Sequence, residues 1–75
     1  MPKYHFEFRR PDGAVLYDEQ GTELPDLDAA KAFARTAIAN HLKGAAASVD
    51  WSTWRAVIKN PDGDDLGSVP FREVM

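Results

Sequence analysis

The stretch Tyr4-His5-Phe6-Glu7-Phe8-Arg9-Arg10-Pro11-Asp12-Gly13-Ala14-Val15-Leu16-Tyr17 decides the fold. Tyr4, Phe6 and Phe8 alternate with His5, Glu7 and Arg9, the period of two that marks a half-buried strand. Pro11 presets φ for a turn, Asp12 suits the next position, and Gly13 accepts a left-handed conformation after it. The spacing predicts a three-residue hairpin loop closed by a glycine bulge. The expected register sets Arg10 opposite Ala14, Arg9 opposite Val15 and Phe8 opposite Leu16. Phe8 and Leu16 then share the core face, and Arg9, Val15 and Tyr17 share the outer one.

The same device returns fifty residues on. Ile58-Lys59-Asn60-Pro61-Asp62-Gly63-Asp64-Asp65-Leu66 matches the pattern of Phe8 to Leu16. Duplication and shared turn chemistry both explain the match, and turn chemistry is the simpler. This second hairpin is expected to put Trp54, Ala56, Ile58 and Leu66 on the core face, with Arg55, Val57, Lys59 and Val69 opposite. Gly67 and Pro70 predict that its second strand is short and lies at an edge.

One helix is expected between the hairpins. Asp26 can cap it, Asp28 adds favourable charge to its first turn, and Lys43 and Gly44 mark its end. From Leu27, the positions Ala30, Phe33, Ala34, Ala37, Ile38, His41 and Leu42 follow helical spacing. About seventeen residues give roughly 25 Å of helix, enough to cross a four-stranded sheet. The order ββαββ predicts an α+β fold: a two-layer sandwich of a four-stranded, mainly antiparallel sheet with one helix on one face. The other face has no element left to cover it.

With 75 residues the chain is expected to form one domain, 1–75. Of 33 apolar residues 11 are alanine, so the eight aromatics must carry the core. The absence of cysteine excludes disulfide scaffolds and zinc ribbons. No apolar run is long enough to span a membrane, and the opening residues hold no apolar signal segment, so a cytoplasmic location is expected. The net charge of −3 argues against a general nucleic-acid coat and leaves room for a local basic stripe.

Chemistry has little to work with. Ser48, Ser52 and Ser68 sit in no glycine-flanked elbow, and His5 and His41 belong to opposite layers, so no catalytic residues are expected. His41 reads as a satisfied boundary histidine and His5 as solvated. Asp62, Asp64, Gly67, Val69 and Glu73 mimic an EF-hand spacing, but Leu66 stands where an oxygen ligand is required and Pro61 and Pro70 bar the flanking helix path. No metal, cofactor or small-molecule ligand is expected. Asp18 to Glu23 reads as a solvated loop, Ala45 to Asp50 as the return loop, and Trp51 as a residue at the core edge.

The outer sheet face is the candidate contact surface. It is expected to display His5, Arg9, Val15, Tyr17, Arg55, Val57 and Lys59, beside Glu7 and Val69. A protein partner or a second copy fits its mixed apolar and basic character, with an exposed edge strand as the other route of contact. A single-stranded RNA would use the stripe of Arg9, Arg55 and Lys59, although only Tyr17 and His5 offer rings and Glu7 would repel phosphate. An ordinary amphipathic surface is the plain alternative.

The opening Met1-Pro2-x-Tyr4-x-Phe6, the stretch Asp18-x-x-Gly21-x-Glu23-Leu24-x-Asp26-Leu27-x-x-Ala30, and Trp54 with Leu66-x-x-x-Pro70-Phe71 resemble a family of short bacterial proteins of unknown function. The resemblance covers nearly the whole chain and implies a small intracellular domain with no catalytic residues to transfer. A weaker similarity touches HicB-like antitoxins, in which a hairpin leads through a Leu-Pro-Asp-Leu-like segment into an alanine-rich helix. No appended DNA-binding element of theirs is expected here, and the analogy implies at most a toxin as partner.

Overall fold

The computed structural model describes residues 2–17, 20–44 and 48–75, with residues 14–16 described by their backbone. Strand β1 (Lys3–Arg10) turns into β2 (Gly13–Tyr17), and a two-residue β3 (Thr22–Glu23) precedes helix α1 (Leu27–Lys43). A 3-10 turn over Trp51–Thr53 leads into β4 (Arg55–Lys59) and β5 (Asp65–Pro70), and a second 3-10 turn over Phe71–Glu73 follows. The sheet runs β2-β1-β4-β5, every pairing antiparallel, with β3 added against the start of β1. The expected α+β architecture is therefore present, and the two hairpins join through their first strands. Thr22 and Glu23 were expected in a loop; they pair instead with Tyr4 and Lys3. The loop expected at Asp18 and Glu19, and at residues 45–47, lies outside the described residues.

Helix α1 has the expected limits. The Ala29 N–H donates to Asp26 Oδ1 at 2.8 Å, satisfying one of the donors left open at a helix start. Gly44 ends the helix at φ −106°, so the left-handed cap its identity suggested does not form. Ala30, Ala34 and Ile38 are fully enclosed, and the two alanines let the helix settle closely on Tyr4, Phe6, Ala56, Ile58 and Val69. Phe33 stays 41% exposed but tilts against Phe6, ring centroids 4.9 Å apart. At one end of this layer Phe71 is wholly buried and meets Phe8 edge-on at 5.2 Å, with Trp51 and Trp54 packed around it. Its backbone N–H is fixed by Trp54 O at 2.9 Å. Trp51 therefore does sit at the core edge.

Both hairpins depart from the expected registers by one bulge each. In the first, Phe8 does face Leu16, but Arg9 faces Ala14 and Arg10 faces Gly13, with the irregularity between Phe8 and Arg9. The extra residue is Val15, whose side chain lies outside the described residues, as does that of Leu16. In the second, Lys59 faces Asp65 and Ile58 faces Gly67, so Leu66 is the extra residue. One inserted residue exchanges the faces of everything beyond it. Leu66 is consequently 38% exposed instead of core, and Val69, expected outside, is buried against Ala56 on the helix side. The strand is six residues long, not short, though it does lie at an edge with Pro70 at its end.

The two turns differ although both read Pro-Asp-Gly. Asn60 precedes the second, and its Oδ1 accepts from the Asp64 N–H at 2.9 Å while Gly63 N–H donates to Asn60 O at 3.0 Å. Arg10 precedes the first, has no acceptor to offer, and pairs with Asp12 at 2.6 Å. The longer loop forms where a side-chain amide closes it. Among the described residues no helix is long and apolar enough to cross a membrane.

Candidate functional site

Registers fix which side chains share the face without the helix. Directly opposed residues point the same way, so His5, Glu7 and Arg9 of β1 lie beside Lys59, Val57 and Arg55 of β4. Tyr17 joins them opposite Glu7, and Ser68 and Asp65 join them from β5 opposite Val57 and Lys59. Every expected contact residue whose side chain is described therefore falls on one surface. Val69 does not, because the bulge at Leu66 turns it inward.

The surface is less open than its composition suggests. His5, expected to be solvated, is only 9% exposed. Tyr17 stacks on it with rings 6.0 Å apart and 5° from parallel. The chain also folds back over this end at Gly21, where φ is +77° and an added Cβ would lie 3.0 Å from His5 Cε1 and 2.7 Å from Lys3 Cγ. Val57 is 2% exposed with no helix above it. It floors a shallow hollow of about 300 Å³ walled by Arg55, Asp65, Leu66, Gly67 and Ser68.

Glu7 organises the charges. Its Oε2 lies 2.7 Å from Arg9 Nη2 and 3.6 Å from Lys59 Nζ, and Lys59 also reaches Asp65 Oδ1 at 3.6 Å. Two cations and two carboxylates thus balance along the middle of the face. The stripe of Arg9, Arg55 and Lys59 read from the sequence is neutralised at two of its three members. Arg55 is the exception: it is exposed and makes no ion pair among the described residues. Among the described residues the enclosed Arg9 Nε–H finds no hydrogen-bond partner, a deficit that typically costs about 1–3 kcal/mol.

A larger open hollow of about 620 Å³ lies at the first hairpin, lined by Arg9, Arg10, Pro11, Asp12, Thr53 and Arg55 among others. Arg10 and Thr53 were missed as surface-site residues, because only the β1–β4 register brings the second hairpin's start beside the first turn. Glu7 was seen as a face residue but not as a hub, for the same reason.

His41 occupies the helix side, as expected, but is not satisfied there. It meets Phe8, Trp51 and Phe71 edge-on at 5.4, 5.1 and 6.2 Å, and its Nε2 is buried without a hydrogen bond among the described residues. Asp62, Asp64 and Asp65 stay exposed on the second turn.

No curated protein and no solved structure matches the chain. A family model does, over residues 3–72, which takes in every element from β1 into the last 3-10 turn. The chain belongs to the family of the domain of unknown function DUF6894.

Proposed function

We propose that the chain is a small non-enzymatic interaction module that meets a protein partner through the helix-free face of its sheet. The observation that carries this reading is the division of labour between the two faces. Tyr4, Phe6, Ile58, Val69 and Phe71 fill the helix side, while the opposite side holds a buried, charge-balanced centre of His5, Glu7 and Val57 ringed by exposed Tyr17, Arg55 and Ser68. A preformed surface of this kind loses little side-chain freedom on contact. The partner it suits carries an apolar group against Tyr17 and a carboxylate against Arg55. A protein partner is also what the weaker likeness to HicB-like antitoxins implies. Glu7 pairs with both Arg9 and Lys59, and Asp65 with Lys59, so the stripe offers an extended RNA strand only one cation without a counter-ion among the described residues, Arg55.

Site-specific photo-crosslinking in cells tests the reading. A crosslinker at Ser68 should capture a protein, a crosslinker at Ala32 on the exposed helix side should not, and Arg55→Glu should abolish the Ser68 product. Equal capture from both positions, or capture indifferent to Arg55→Glu, would contradict the proposal. A Ser68 product of twice the chain mass would replace the external partner by a second copy.

A further inference from the structure

We propose that Arg9, Arg10 and Arg55 form a binding site for one compact oxyanion of the phosphoryl class. The site goes beyond the contact reading: it shares Arg55 with that surface but needs no protein partner. Arg9 and Arg55 are directly opposed across β1 and β4, a like-charged pairing that disfavours the sheet unless something offsets it. Arg10 follows immediately, and all three line the open hollow of about 620 Å³ together with Thr53.

The fold supplies too little counter-charge there. Asp12 is engaged by Arg10 at 2.6 Å. Glu7 serves Arg9 at 2.7 Å but divides its charge with Lys59 at 3.6 Å. Arg55 is left with no ion pair among the described residues, and Arg9 keeps an Nε–H without an acceptor. The chain of net charge −3 thus gathers three guanidinium groups at one end of its sheet against Asp12 and a shared Glu7, and Arg55 is the one left without a counter-ion among the described residues. Guanidinium forks match the paired oxygens of a phosphoryl group, and a doubly charged anion relieves the Arg9–Arg55 repulsion better than a single carboxylate.

Size follows from the other end of the sheet. Asp62 and Asp64 are exposed at the second turn, beyond Lys59, so a polyanion laid along the face would meet repulsion there. A single phosphoryl group at the first hairpin does not reach them.

The test is an amide and guanidinium NMR titration of the whole chain with inorganic phosphate, against chloride at matched ionic strength. Saturable shifts confined to Arg9–Gly13 and Thr53–Arg55 are expected, with binding weakened at least about tenfold in Arg55→Gln and partly kept in Arg55→Lys. Arg55 is exposed, so its variants keep the fold, which the same spectra verify. Phosphoserine in place of phosphate should give the same footprint, showing that an ester as well as the free ion is accepted. Shifts that do not saturate, that chloride reproduces, or that persist unchanged in Arg55→Gln would overturn the site. A short single-stranded RNA binding about a hundredfold tighter than phosphate, with steep salt dependence, would overturn its compact-ligand character. None of these outcomes bears on the Ser68 crosslink, so the two readings fail separately.

Discussion

Glu7 Oε2 and Lys59 Nζ lie 3.6 Å apart, a diagonal ion pair that ties β1 to β4 on the side the helix never touches. With Arg9 on the same oxygen, Glu7 lets two cations crowd a sheet surface that would otherwise repel itself. Replacing it removes the compensation and leaves both cations in place. Glu7→Gln should therefore lower stability by about 1–2 kcal/mol, between an exposed pair and a fully buried one. Urea unfolding with an unchanged m-value measures it, and Arg55→Gln should move the midpoint far less.

The aromatic end of the core sets the second expectation. Phe71 is fully enclosed and Phe33 is 41% exposed, yet both are phenylalanines touching β1 rings. Phe71→Ala should cost about 3–5 kcal/mol, and Phe33→Ala about 1 kcal/mol. In a domain this small the first loss approaches the whole stability. Loss of amide dispersion in the NMR spectrum of Phe71→Ala, and its retention in Phe33→Ala, is the readout.

Two glycines should respond in opposite directions. Gly44 ends α1 at a φ any residue adopts and has open space around a would-be Cβ, so Gly44→Ala should stabilise by about 0.5 kcal/mol by restricting the unfolded chain. Gly21 combines φ +77° with a would-be Cβ contact of 2.7 Å to Lys3 Cγ, and Gly21→Ala should cost about 1–2 kcal/mol. Thermal unfolding of the pair measures both signs.

These residues also show how far the chain could be read in advance. Helix α1 was legible to its ends, because Asp26, the alanine stripe and Lys43 act within a few residues of one another. The face holding Arg9, Arg55, Val57 and Lys59 was legible because alternation survives along a regular strand. Leu66 and Val69 were not: a bulge is one residue long and depends on how β5 meets β4, and it reverses every assignment after it. His5 escaped for a different reason, since its cover is Tyr17 and the returning chain at Gly21, which only tertiary folding brings above it. Phe71 gave only the signal of an aromatic after Pro70, and its burial depends on Trp54 O holding its backbone.

A contact surface requires that the exposed residues of the outer face be spare to the fold. Equilibrium unfolding of the double variant Tyr17→Ala/Arg55→Ala tests this most directly. Stability within about 1 kcal/mol of the parent chain is predicted, since neither side chain holds the helix layer. A loss of about 3 kcal/mol or more would show that this surface is kept for architecture instead of contact.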